Sequence, residues 1–254
     1  TLIPLGVVGF YALTDPDTGA FSLRNIRELG MYMPVLWQSI LYSLVSAFIC
    51  LLLGYPVAYY IAQCKPITQK LLYMLVMLPM CMSFLLRTLA WVGLLQDTGI
   101  INNFLDWIGI GRIRMIRTPG AVILGMVYNY LPYMILPLYA TIVKIDKRLI
   151  EAAEDLGCNT VQVFGRVILP LSLPGILSGM TMVFVPAVST FYISNKLGST
   201  ETIMIGDIIE RQFKQGDNAN MGAALSLLLM VLVFVCTGII NRFGGADEEG
   251  AVIV

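Results

Sequence analysis

Glu151-Ala152-Ala153-Glu154-Asp155-Leu156-Gly157-Cys158-Asn159-Thr160-Val161-Gln162-Val163-Phe164-Gly165-Arg166-Val167-Ile168-Leu169-Pro170 lies between two apolar runs, residues 120–143 and 171–194. Its local chemistry is legible. Residues 151–156 suit a helix, because alanine and leucine are strong helix formers. Gly157 follows where the chain must turn, and glycine tolerates positive φ there. Asn159 precedes Gln162 by three residues, the spacing of a capping box that opens a second helix. Val161, Phe164, Val167 and Ile168 give that helix one apolar stripe, and Pro170 is expected to stop it. The pattern is a helix-turn-helix between two segments long enough to cross a bilayer. By itself it also fits an ordinary surface loop.

Outward from this stretch the chain is built for lipid. Of 254 residues, 57% are hydrophobic and 13% charged, with mean hydropathy +0.80. Those values exceed what a soluble domain of this size carries. Sixteen basic residues balance 16 acidic ones, so no basic excess points to nucleic acid. Cys50, Cys64, Cys81, Cys158 and Cys236 form no C-x-x-C pair and read as small hydrophobes rather than metal ligands or disulfides. Histidine is absent, which removes the commonest zinc ligand and general base. No catalytic or metal site is expected.

Five complete apolar segments are visible: roughly 37–62, 71–95, 120–143, 171–194 and 221–243. Each approaches the ~20 residues that span a ~30 Å hydrocarbon core. Residues 1–13 are too short to span and read as the outer end of a first helix whose beginning lies before Thr1. They carry no basic leader or small-residue cleavage site. Together these segments predict an all-α polytopic membrane protein of six transmembrane helices, the first truncated. Residues 1–254 form one transmembrane domain, with a polar segment at about 144–170. Charge does not orient it. With the amino terminus inside, the inner segments hold seven Lys and Arg and the outer ones eight.

No Asp or Glu falls within the five spans, which argues against an ion-coupled carrier. No G-x-x-x-x-G-K-[ST] occurs either, so an energy source would be a separate subunit. Apart from Arg242 at the very end of the last segment, Arg87 is the one charge inside a span. At 1.5 Å per residue it lies ~12 Å from the outer end, within reach of the interface by snorkelling. It reads either as an anion site or as a structural charge bonded to carbonyls or to a neighbouring subunit. The fourth segment holds Tyr128, Asn129, Tyr130, Pro132, Tyr133 and Pro137. Each internal proline frees one carbonyl. Asn129, Tyr130 and Tyr133 share an arc of about 100° at helical periodicity. Such a stripe suits passage of a cation by cation–π contact, or a kinked helix with packed tyrosines. Pro186, followed by Phe191 and Tyr192, invites the same two readings. Residues 203–213 read as an amphipathic helix near the outer surface, with Asp207 and Arg211 paired on its polar side. It serves either packing or docking of an external receptor.

The spacing of residues 151–170 resembles the signature E-A-A-x3-G-x9-I-x-L-P of membrane subunits of ABC importers. Glu151, Ala152, Ala153, Gly157, Leu169 and Pro170 match, and Val167 replaces the usual isoleucine. Further blocks occur in one order: Leu53-Gly54-Tyr55-Pro56, Arg87-Thr88-Leu89-Ala90-Trp91, Val127 to Tyr133, Pro137-Leu138-Tyr139 and Phe191-Tyr192-Ile193-Ser194. From about Trp37 to Phe213 the chain is similar to the B-type permease subunit of spermidine/putrescine ABC importers.

The resemblance implies a type I importer permease fold in a bacterial cytoplasmic membrane, multi-pass, with both termini cytoplasmic. The 151–170 loop would couple to an ATPase homodimer, which binds the ATP and Mg that this chain does not. A second homologous permease and an extracytoplasmic polyamine-binding receptor complete the assembly, all set in membrane lipid. Tyr128, Asn129, Tyr130, Tyr133, Phe191 and Tyr192 are candidates for the substrate path. A permease for another small solute, such as an inorganic anion or a thiamine-like cation, and a non-transporting membrane scaffold are the alternatives. A membrane enzyme would need a cluster of Asp, His or Cys that the sequence lacks.

Overall fold

The computed structural model describes residues 2–14, 28–214 and 218–243. Arg24 and Arg27 of the first connecting segment lie outside the described residues. Helix α1 spans Leu2–Ala12. A 3₁₀ turn, Leu29–Tyr32, runs into α2, Met33–Gln63. Next come α3 (Pro66–Met77), α4 (Phe84–Leu95), α5 (Ile100–Ile108) and α6 (Pro119–Ile142). The middle loop contributes α7 (Lys147–Asp155), α8 (Thr160–Val163) and α9 (Leu169–Leu171). Then α10 (Leu173–Val188), α11 (Tyr192–Leu197), α12 (Ile205–Lys214) and α13 (Ala219–Phe243) follow. No strand occurs among the described residues.

Four stretches are long and apolar enough to cross a bilayer: Leu29–Gln63, Phe84–Trp107, Pro119–Ile142 and Ala219–Ile240. A fifth is the pair Thr160–Leu171 and Leu173–Val188, bent by 63°. The expected span 71–95 is not one helix. α3 tightens into a 3₁₀ turn at Leu78–Cys81, and Met82 and Ser83 are extended before α4 begins. Pro79 supplies no backbone donor there, so the helical ladder is interrupted. The expected span 171–194 also breaks. α10 ends at Val188, and residues 189–191 separate it from α11. Pro186, two residues before that end, removes a hydrogen bond there.

Two compact units divide the chain. In the first (Thr1–Ser46, Ser83–Asn129, Val185–Val235), small and hydroxyl residues hold helices close. Ser39, Ser43 and Ser46 on α2 are fully buried. Ser46 Oγ donates to Met126 Sδ of α6 at 3.3 Å, and the Ile205 N–H of α12 donates to Ser39 Oγ at 2.8 Å. Ala12 packs on Ala223 and Ala224, and Asn220 Nδ2 donates to the Thr14 carbonyl at 2.6 Å. These contacts seat the starts of α12 and α13.

Asp207 departs from its expected place on a polar face. It is 2% exposed, and its Oδ2 accepts the Met204 N–H at 3.0 Å, so it caps α12 rather than pairing with Arg211. Burial raises its carboxyl above the usual range, against the lowering effects of the Met204 amide and the Arg211 charge. Ser194 Oγ gives its proton to the Phe191 carbonyl at 3.1 Å, which leaves Asp207 Oδ1 without a donor among the described residues.

The second unit comprises Ala47–Met82, Tyr130–Phe184 and Cys236–Val254. Here α10 lies close on α6: a Cβ at Gly179 would meet Met134, and one at Gly175 would meet Thr141 and the Pro137 carbonyl. Small residues at such crossings are what let helices approach in lipid. Ala153, Val163 and Ile168 form a separate core under the middle loop, packed by Tyr59, Ile145 and Phe164.

Candidate functional site: the coupling loop and an aromatic face around Arg87

The loop between α7 and α8 has the predicted turn chemistry. Asp146 caps α7 by accepting the Arg148 N–H at 3.0 Å. Gly157 has φ +86°, the left-handed region that favours glycine. The Gln162 N–H donates to Asn159 Oδ1 at 2.9 Å, and the Asn159 N–H donates to Gln162 Oε1 at 3.0 Å, a complete capping box. At the tip Leu156 is 86% and Val161 79% exposed, while Ala153 is buried beneath. Glu151 and Ala152 are exposed on α7.

Beyond the tip one expectation is corrected. Pro170 does not stop the second helix. Residues Phe164–Ile168 form a π-helical turn, and the Leu169 N–H reaches back to the Phe164 carbonyl. The wider turn makes room for a proline that has no donor and would crowd a carbonyl four residues back. α9 carries Leu169 and Pro170 onward, and the bend falls at Ser172.

Two residues that sequence reasoning did not single out join this loop to α2. Tyr55 and Tyr59 meet the ring of Phe164 edge-on, at 5.4 and 6.1 Å. Tyr55 Oη also lies 2.8 Å from Ser172 Oγ, at the bend itself. Packed rings and one hydrogen bond therefore join the loop to α2.

In the first unit, one face of α4 collects several candidates. Phe84 lies 6.2 Å from Tyr192 of α11, and Trp91 lies 5.4 Å from Tyr128 of α6. Arg87 falls between Phe84 and Trp91 on this helix and is only 8% exposed. It sits in the first turn of α4 because the helix starts at Phe84. Its Nε and Nη1 have no hydrogen-bond partner among the described residues. Asn129 is 1% exposed; its Nδ2 donates to the Gly125 carbonyl at 2.9 Å, and its Oδ1 has no donor among the described residues.

The family model described as the inner membrane component of binding-protein-dependent transport systems matches residues 19–244. The chain belongs to this family.

Among relatives of this inner membrane component, the spermidine/putrescine transport system permease protein PotB of Escherichia coli (strain K12) is 38% identical over 237 residues. That match covers 90% of this chain and 86% of PotB. PotB of Haemophilus influenzae is 43% identical over 216 residues, covering 84% and 76% of the two chains. Solved structures share the fold. A bacterial ABC transporter for the import of the acidic polysaccharide alginate superposes with TM-score 0.79 at 18% identity, covering 94% of this chain and 88% of that one. The MetNI methionine ABC transporter gives 0.63 at 19% identity, covering 86% and 96%. The fold is that of a type I ABC importer permease. The chain is a multi-pass inner-membrane transport component and not an enzyme.

Within this component Tyr128, Asn129, Tyr130 and Tyr133 all lie on α6, and Phe191 and Tyr192 lie at the start of α11. Tyr128 and Asn129 belong to the first unit, with Phe191 and Tyr192. Tyr130 and Tyr133 belong to the second, their rings 6.3 Å apart. Asn129 and Tyr130 are buried, while Tyr128, Tyr133 and Phe191 are exposed. Phe84, and Trp91 as a ring partner, are not among the sequence candidates, although a spacing of three to four residues on either side of Arg87 marks them as its neighbours on a helix.

Proposed function

We propose that this permease subunit carries a polyamine, spermidine or putrescine, and that the 151–170 loop couples it to a separate ATPase. The observation that carries the coupling role is the loop tip, where two large apolar side chains stand in solvent on a rigidly capped turn. Fully burying one such side chain contributes about 1.5–3 kcal/mol, so Leu156 and Val161 suit insertion into a groove of an ATPase. That ATPase would bind ATP and Mg. The motion of its closure enters at Gly157, passes along α8 and the π turn, and reaches α2 through Phe164, Tyr55 and Tyr59. A second homologous permease and an extracytoplasmic receptor complete the cycle. The polyamine reading is supported by the similarity to PotB over most of both chains.

With the loop inside, both termini are cytoplasmic and α5 and α11 lie toward the outer face. Single cysteines at Asn103 and Thr200, both exposed, placed in a background without native cysteines, are expected to react with an impermeant thiol reagent in intact cells. A cysteine at Asn159 is expected to react only after lysis. The reverse labelling pattern would refute this orientation and the coupling role with it.

The solute is tested by uptake of labelled spermidine and putrescine in cells carrying the whole importer. Cation–π contacts contribute about 0.5–2 kcal/mol, so Tyr192→Ala and Tyr133→Ala should each slow uptake by roughly 2- to 30-fold without loss of assembly. If the wild type moves sulfate and neither polyamine, the solute assignment is wrong. Wild-type rates in both variants would remove these tyrosines from the path.

A further inference from the structure

The sequence leaves a polycation without a carboxylate in any span, and the first unit supplies one from another direction. A groove of about 520 Å³ runs between α10, α12 and α13, a size typical of small-ligand sites. Val185, Ile209, Leu229, Met230 and Val233 give it an apolar wall, and Phe191 and Phe234 are exposed within it. Glu210 of α12 is the one acid in its lining. Ser189 and Ser226 line it as well; each donates its hydroxyl proton to a carbonyl of its own segment, at 3.1 and 2.8 Å. Their oxygens are left as acceptors.

Glu210 already binds an alkylammonium. Lys214, one turn on, places Nζ 2.6 Å from Glu210 Oε1. The lysine is solvent-exposed, and such i,i+4 pairs are weak, so another ammonium can displace it at little cost. We propose that this groove is a binding subsite for a linear aliphatic polyammonium. One terminal ammonium takes the place of Lys214 on Glu210. The methylenes lie along the apolar wall, where their removal from water is favourable. A second ammonium faces the ring of Phe191 or Phe234. Alternation of charge and methylene in the ligand matches alternation of carboxylate, wall and ring in the groove. An anion would meet Glu210, and a sugar would leave its hydroxyls unpaired on the wall.

This subsite rests on the polyamine reading, and the experiment separates the two. Equilibrium binding of labelled spermidine is measured on the purified permease–ATPase complex in nanodiscs without its receptor, beside the cellular uptake assay. Loss of a charge-assisted hydrogen bond should weaken binding roughly tenfold or more in Glu210→Gln. Glu210→Asp should keep affinity within about threefold of wild type, and Lys214→Met, which removes the internal competitor, should tighten it about two- to fivefold. Wild-type affinity in Glu210→Gln overturns the subsite while leaving polyamine transport intact. Should that variant fail to assemble, Lys214→Met decides, and unchanged affinity there overturns the proposal. If wild-type cells take up no polyamine, the solute reading and this subsite fail together.

Discussion

Gly157→Val is expected to abolish most transport-coupled ATP hydrolysis while the protein still inserts and assembles. A Cβ at this position would meet no atom within 4 Å, so no clash is involved. The penalty is in the backbone: φ is +86°, where an L-residue costs about 1–2 kcal/mol and a β-branched one more. The chain relieves that strain by rebuilding the turn, and the exposed tip then leaves the direction set by the Asn159–Gln162 capping box. Receptor-stimulated ATPase activity should fall roughly tenfold, consistent with ~1.4 kcal/mol lost from the docked geometry. Gly157→Asn, which tolerates positive φ, should retain most of the activity. Gly165→Ala serves as the control, because its Cβ also meets nothing within 4 Å and its φ is not positive. Full coupling in the valine variant would show that the turn does not set the tip.

Local chemistry was the part most legible in the sequence. The capping box, the glycine turn and the class of fold follow from residue types at fixed spacing, and each is determined within a few residues of itself. The breaks at 82–83 and 189–191 were not legible, since hydropathy averages over a window and takes Met82, Ser83 and Ser189 for mild interruptions of an apolar run. A tertiary contact outweighed the pattern again at Asp207. Periodicity places it on the polar side of α12, but Ser39 and the close approach of residues 189–190 bury that end of the helix, and the carboxylate becomes its cap. In sequence Pro170 reads as a stop because a proline breaks an α-helix; a π turn ahead of it absorbs the same defect. The candidate site was half legible. Tyr128 and Tyr192 stood out by composition, while their ring partners Trp91 and Phe84, and Glu210 beside Phe191, depend on which helices meet.

Arg87 connects these observations. Isolated at mid-bilayer, an arginine costs about 2.5–3.5 kcal/mol on insertion scales, and here two of its donors are buried without partners. Aromatic pairs flank it along α4, Phe84–Tyr192 on one side and Trp91–Tyr128 on the other. Glu210 and Phe191 line the α10–α12–α13 groove of the same unit.

The position on which that groove depends most is Gly206, and Gly206→Ala is expected to destabilise the protein and to stop transport. A Cβ there would lie 2.6 Å from the Thr190 carbonyl oxygen and 2.7 Å from that of Ser189. Both are backbone atoms, so no rotamer change relieves the contact. The segment of residues 189–191 has little freedom to retreat, because Ile193 and Leu197 just beyond it are fully buried against α6 at Gly125. α12 must move instead. It then forfeits the bond from the Ile205 N–H to Ser39 Oγ and the Met204 cap on Asp207, at 2.8 and 3.0 Å. Overpacking of this kind costs about 1–3 kcal/mol, which for a chain of this size is a fall in Tm of roughly 2–12 °C. Spermidine uptake should drop by more than the loss of folded protein accounts for, since Glu210 moves with the helix. Gly238→Ala, in α13 where a Cβ meets nothing within 4 Å, should leave Tm unchanged or raise it slightly, alanine being the better helix former. Wild-type Tm and uptake in Gly206→Ala would mean that α12 does not lie against residues 189–190, and the groove would lose the wall that holds its carboxylate.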